Sequence, residues 1–334
     1  MPLDPEDRRP RLTPAIADVR RAVRAALGEA TDALVLVALS GGADSLALAA
    51  ATAFEAPRAG LRAGAVIVDH GLQEHSAEVA ARAAEQAREL GLDPVTVVRV
   101  AVDTESPAGP EGAARAARYE ALRRAASDLH ASAVLLAHTL DDQAETVLLG
   151  LARGSGAGSL QGMAAESGLY RRPLLGVRRS TTRAFCADSR LEPWDDPHNV
   201  DPSYARVRVR ERVLPVLERE LGPGVAEALA RTAEQLREDS EAFQQMIDET
   251  IEDIVEHVEA GIAISVSALA ANPPALRGRI VRYVAQSEFG VALERVHVQA
   301  ALRLVTDWHG QQPIDLPGCT AAREGGLLVL RAAG

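Results

Sequence analysis

Ser40-Gly41-Gly42-Ala43-Asp44-Ser45 follows the apolar run ALVLVAL at 33–39 and opens an Ala-rich helical stretch over about 44–54. A strand that ends in two glycines and turns into a helix has a plain physical use. The glycines let backbone N–H groups come close to phosphate oxygens, and the helix start adds partial positive charge. The hydroxyls of Ser40 and Ser45 can donate to the same oxygens, and Asp44 suits a helix start or a magnesium-bound water. The plainer reading is an ordinary strand-to-helix turn with Ser and Asp caps.

Working outward, three more short apolar runs follow: GAVIV at 64–68, PVTVVRV at 94–100 and SAVLLA at 132–137. They read as strands buried on both faces. Helical stretches over about 76–90, 112–129 and 141–153 separate or follow them. This alternation predicts an α/β fold, a parallel sheet with helices on both faces. Ligands of such sheets sit beyond the carboxyl ends of the strands. The segments that matter are therefore 40–45, Asp69-His70-Gly71, 103–112 and 138–142. Beyond a Gly/Ser stretch at 154–162, a strand and helix are expected up to Leu191, then an Arg-dense helix over 204–220. Gly222-Pro223-Gly224 is a breaker and the expected domain boundary. The remainder reads as a smaller, mostly helical domain: one or two long helices over 225–258, helices near 274–287 and 293–307, and a β-like tail at 314–330.

Composition excludes several functions. All 36 basic residues are Arg and none is Lys, which removes a Walker-type phosphate loop and Schiff-base chemistry. Cys186 and Cys319 lie outside any CxxC pattern, so zinc ribbons and iron–sulfur clusters lack ligands and a reducing cytoplasm is expected. No run is long and apolar enough to span a bilayer, so no membrane partner is expected. The net charge of −11 argues against a generally basic nucleic-acid binder. Between 171 and 212, however, ten Arg stand against six Asp or Glu, so a local basic patch is expected on an acidic body.

His138-Thr139-Leu140-Asp141-Asp142 ends the fourth strand. Asp141 and Glu145 are four apart, Asp142 and Glu145 three apart, so their carboxylates can share a helix face. Such a cluster suits magnesium, or a cationic substrate whose proton it accepts; helix capping is the plain alternative. Asp69 and His70 end the second strand, where an adenosine would lie, although a strand-end Asp is often only a turn former. Arg115 and Arg118 share a helical face, and a solvated salt-bridging helix is their plain reading. Arg206, Arg208 and Arg210 do not share one face of a regular helix but would in an irregular or extended stretch. Their guanidinium forks suit phosphates.

SGGADS resembles the SGGxDS signature of the PP-loop ATP pyrophosphatases. VDHGL at 68–72, Ala114-Arg115 with Arg118-Tyr119, HTLDDQAET at 138–146, RGSG at 153–156, RPLL at 172–175 and DLPG at 315–318 follow in order. Together they resemble the tRNA(Ile)-lysidine synthetase family. The resemblance implies a Rossmann-like PP-loop domain over 1–222 and a C-terminal tRNA/substrate-binding domain over 223–334. It implies a short form without an additional C-terminal tRNA-binding domain. The implied reaction is adenylation of the wobble cytidine of tRNA(Ile) with a CAU anticodon, then displacement of AMP by free lysine. ATP and Mg2+ are the implied cofactors, and a homodimer is one assembly open to it. In site terms, Ser40 to Ser45 with Asp69 and His70 would bind ATP, and Asp142 and Glu145 lysine. Arg206, Arg208 and Arg210 would bind tRNA. Asp44, Arg115, Arg118, Asp141, Asp142 and Arg208 would be catalytic, with Asp44 and Asp142 on the metal. The chain departs from the family pattern at Gln73, Gly158, Val207 and Cys319. The alternatives are a tRNA thiolase of the same fold, or a non-catalytic nucleotide-binding module.

Overall fold

The computed structural model describes residues 12–28, 33–71, 75–102, 109–154, 156–259 and 261–333. Gln73 and 103–108 lie outside them. The chain divides into two compact units, Met1–Arg237 and Glu238–Gly334.

The first unit is built on strands β1 (Leu34–Ala38), β2 (Arg62–Asp69), β3 (Val95–Arg99), β4 (Ala131–Leu135), β5 (Glu166–Ser167) and β6 (Tyr170–Arg171). Their order across the sheet is β3-β2-β1-β4-β6-β5. The pairings from β3 to β6 are parallel, and only β5 runs against its neighbour. The helices are α1 (Pro14–Leu27), α2 (Ala43–Glu55), α3 (Ser76–Glu89), α4 (Gly109–Asp128), α5 (Leu140–Arg153), the single turn α6 (Ala157–Leu160) and α7 (Arg179–Asp188). β1 is buried over four of its five residues because β2 and β4 flank it and helices cover both faces. One expectation is corrected here. β3 is not buried on both faces: it is one of the two edge strands, and Val97 is 44% exposed.

The core is Ala-, Val- and Leu-rich, as the scarcity of aromatics requires. Its largest cluster joins α1, α2, α3 and α7 to one face of the sheet, and a smaller one packs α4 on the other. The helix α1, not anticipated above, has a legible stripe: Ile16, Val19, Val23 and Leu27 are all buried.

The Arg-dense segment is not one regular helix. A short α8 (Ala205–Arg208) passes through a π-helical turn at Val209–Val213 into α9 (Leu214–Leu221). Such a turn inserts an extra residue and re-aims the side chains after it. α10 (Val225–Ile254) follows as a single helix of 30 residues.

In the second unit, β7 (Val255–Val258) and β8 (Gly261–Ser265) precede α11 (Val266–Ala271), α12 (Pro274–Phe289) and α13 (Arg295–Thr306). The tail forms β9 (Ile314–Leu316), β10 (Cys319–Glu324) and β11 (Leu327–Ala332). Its antiparallel sheet runs β7-β8-β11-β10-β9, and α12 and α13 bury Ile280, Val284 and Leu304 with Ile264 and Leu328 of the sheet. Among the described residues no helix is long and apolar enough to cross a membrane.

Candidate active site

The glycine loop lies between β1 and α2, at the carboxyl end of a strand in the middle of the parallel sheet. Gly41 has φ +85°, a left-handed conformation that L side chains rarely adopt, and its carbonyl accepts from Trp194 N–H at 2.9 Å. Gly42 is the N-cap of α2 and no side chain caps that end. The first-turn N–H groups of α2 are thus left for an anionic ligand. Inside the loop, Ser45 Oγ donates to Gly42 O at 2.9 Å, lies 3.1 Å from Ser40 Oγ and accepts from Ser40 N–H at 3.2 Å.

Asp44 does not point into that space. Its Oδ1 accepts from Thr182 Oγ1 and its Oδ2 from Arg179 Nε at 3.4 Å, both on α7. Burial raises its pKa above the ordinary carboxylate value, against those donors. On α5, Thr139 and Asp142 form a capping box: Asp142 Oδ2 accepts from Thr139 N–H and Oγ1, each at 2.8 Å. Its other oxygen faces Arg179 Nη2 at 2.7 Å. Helix capping and a charge-binding role are therefore divided between the two oxygens of one carboxylate. Burial pushes the Asp142 pKa up, but the Arg179 charge and the Thr139 bonds outweigh it and hold it low.

Glu145 has no exposed side-chain surface. Arg210 grips it as a fork, Nε to Oε1 at 2.7 Å and Nη2 to Oε2 at 3.1 Å, while Arg179 Nη1 reaches Oε1 at 3.1 Å. Arg206 Nε stands 3.8 Å from Oε2. Asp141 accepts from Arg179 N–H at 2.7 Å and pairs with Arg178 at 3.3 Å. Four carboxylates (Asp44, Asp141, Asp142 and Glu145) thus meet four guanidiniums (Arg178, Arg179, Arg206 and Arg210). A cavity of about 220 Å3 opens beside them, lined by Asp141, Glu145, Arg178, Arg210 and Glu218.

A second group is cationic. His70 directly follows β2 and His138 lies three residues beyond β4; His70 Nδ1, His138 Nδ1 and Arg172 Nε are each buried without a hydrogen-bond partner. Burial lowers the His138 pKa to about 4, and Arg118, Arg172 and Arg115 press the same way against Asp142. His70 is lowered by burial and by Arg118. Arg118 itself is lowered by burial, then by the nearby Arg115 and Arg206. Cations crowded around neutral imidazoles suit an anion. Asp69 is 7% exposed and turns back on Gly71 N–H at 2.9 Å.

Of the anticipated residues, Asp44, Asp141, Asp142, Glu145, Arg206 and Arg210 come together; Arg115, Arg118, His70 and His138 form the cationic corner. Arg208 joins neither. It is exposed, with its guanidinium on the carbonyls of Pro202 (2.8 Å) and Ser203 (2.6 Å). Arg178, Arg179 and Thr182 were missed by sequence reasoning, and only the excess of Arg over 171–212 pointed that way. A magnesium ion at Asp44 and Asp142 would have to share carboxylate oxygens that already have donors. All four of their carboxylate oxygens already accept from Thr182, Arg179 or Thr139. Among the described residues no three acidic, His or Cys groups are set to hold a metal.

A glycine phosphate loop on a central parallel strand, flanked by acids on the helix after the adjacent strand β4, defines a PP-loop ATP-using domain, and the PP-loop domain family matches residues 16–217. The TilS substrate binding domain matches residues 264–329. The chain is 65% identical to tRNA(Ile)-lysidine synthase of Leifsonia xyli over 90% of both chains. It is 53% identical to that of Thermobifida fusca, over 93% of this chain and 95% of the relative. The chain belongs to the tRNA(Ile)-lysidine synthase family. In fold alone it is also similar to the U34-tRNA thiolase NcsA of Methanococcus maripaludis, with TM-score 0.57 and 20% identity over 67% of this chain and 80% of the other.

Proposed function

We propose that this chain is a cytoplasmic ATP-dependent ligase that joins free lysine to C2 of the wobble cytidine in tRNA(Ile) with a CAU anticodon. ATP lies along the loop from Ser40 to Ser45, with its adenosine toward Asp69 and His70. The C2 oxygen of cytidine attacks the α-phosphate and pyrophosphate leaves, which converts a poor leaving group into AMP. The side-chain amine of lysine then attacks C2, loses a proton, and AMP departs with the oxygen. Arg115, Arg118 and Arg206 stabilise the phosphoryl charge, and the acids Asp141, Asp142 and Glu145 take the lysine cation and accept its proton. Arg208, exposed at the start of the irregular segment, meets tRNA phosphate, and the C-terminal domain contributes substrate binding. Magnesium is the metal implied for the ATP, but the acids here are already engaged and no step is routed through it.

One observation carries this reading: a buried acidic cluster that already holds cations stands next to a phosphate loop. A lysine amine and a nucleotide phosphate need those two opposite environments within one site. A thiolase reading finds less support. Cys186 is buried, its pKa pushed by burial to about 12, and Cys319 lies in the other unit. The test is nucleoside mass analysis of a tRNA(Ile) transcript with a CAU anticodon, incubated with ATP and lysine. The cytidine should gain the mass of lysine less one water. Without lysine, pyrophosphate should still be released and adenylated tRNA accumulate. A sulfur-bearing nucleoside, or no modification with all substrates present, overturns the proposal.

A further inference from the structure

Arg179 stands at the first position of α7, and each of its three guanidinium nitrogens reaches a different carboxylate. Nε meets Asp44 at 3.4 Å, Nη1 Glu145 at 3.1 Å and Nη2 Asp142 at 2.7 Å. Its backbone N–H takes a fourth acid, Asp141. One turn along α7, the buried Thr182 holds the remaining oxygen of Asp44. Asp44 starts the helix that follows the phosphate loop, whereas Asp142 and Glu145 belong to α5. One planar cation therefore ties the element that receives ATP to the element that offers acids to an amine. The Arg179 side chain is only 16% exposed, so these bonds are poorly screened. A Lys ammonium, a point charge on a flexible stem, cannot span three acids in fixed directions.

We propose that Arg179 is the positioning residue that sets the amine-binding acids in register with the phosphate loop, and that it holds the amine subsite as an internal cation until the substrate enters. This rests on the ligase reading above. Two consequences oppose each other. Without Arg179, Asp44, Asp142 and Glu145 repel one another and the geometry between the loop and the acids loosens, so turnover falls. Yet the acids lose a competing cation, so lysine binds more readily.

The experiment compares wild type, Arg179→Ala and Arg179→Lys in the tRNA, ATP and lysine reaction. Turnover of Arg179→Ala should fall about 100-fold, the scale of a misplacement near 1 Å, while its KM for lysine drops several-fold. Millimolar guanidinium, which can refill the vacated space, should restore about a tenfold gain that equal sodium or urea does not. Arg179→Lys should lie between the two without reaching wild type. A purely structural role would lower turnover in proportion to folded protein, with KM unchanged and no rescue; that result overturns the proposal. Should Arg179→Ala not fold, Arg179→Lys decides: wild-type turnover refutes the positioning role, and reduced turnover with a wild-type melt supports it. The wild-type rate tests the ligase reading and the ratio of variant to wild type tests Arg179, so the two fail separately.

Discussion

Replacing Glu145 by Gln changes one oxygen to an NH2 on a side chain with no exposed surface. The carboxylate accepts from Arg210 at 2.7 and 3.1 Å and from Arg179 at 3.1 Å, with Arg206 at 3.8 Å. A glutamine can keep one acceptor on Arg210 and Arg179, but its amide then points N–H against N–H at the other arm of the fork. A charge-assisted bond is worth about 1.5–3 kcal/mol, and breaking a buried ion pair costs about 3–5 kcal/mol. Arg179 keeps Asp142 and Asp44, and Arg210 has Asp142 at 3.7 Å. The loss should therefore sit near the lower end, about 3 kcal/mol, or roughly 6–12 °C in melting temperature for a unit of this size. The control is Glu120→Gln. Glu120 also pairs with two arginines, Arg123 and Arg124, but its side chain is 42% exposed and solvent screens that surface network, so its loss should barely move the melt. Thermal melts of both variants, beside the lysine KM of each, decide the matter. If Glu145→Gln melts with Glu120→Gln, the acidic cluster is not the buried, guanidinium-neutralised site described here.

Two more outcomes are expected. His138 has its folded pKa lowered to about 4 from 6.5, so the unfolded chain binds that proton more readily; its contribution is complete above pH 6.5 and lost as pH falls toward 4, by up to about 3 kcal/mol. Urea midpoints at pH 7.5 and 5 should diverge more for wild type than for His138→Gln, and parallel shifts refute the assignment. Arg208→Glu should weaken tRNA binding and reduce its salt slope by about one or more while ATP binding holds. Filter binding across a salt series checks this, and an unchanged slope places the tRNA elsewhere.

Much of the first unit was legible because its signals are local. Buried strands of a parallel sheet are continuous apolar runs, and the glycines after β1 mark a turn that few other residues can make. The acids of HTLDDQAET sit three and four apart, so their common face follows from helix geometry alone. Other features had local signals that were passed over, such as the stripe of Ile16, Val19, Val23 and Leu27 in α1. β7 was hidden differently: four residues directly after a long helix look like its continuation until β8 pairs with them.

From the sequence alone came the parallel α/β sheet, the phosphate loop at its carboxyl edge, the acidic helix start and, from the lack of Lys, the exclusion of a Walker loop and Schiff-base chemistry. Each rests on residue type and on spacing within one element. Which arginines meet which acids was settled only by tertiary structure. Arg206, Arg208 and Arg210 are chemically alike, and the π-helical turn with its surrounding packing sends Arg210 to Glu145 and leaves Arg208 on the loop carbonyls of Pro202 and Ser203. Arg179 had no mark of its own in a chain of 36 arginines. Its partners lie 34, 37 and 135 residues away, at the ends of two other helices. Charge pairing over such separations is fixed by where the sheet delivers those helix ends, and no periodicity within α7 encodes it.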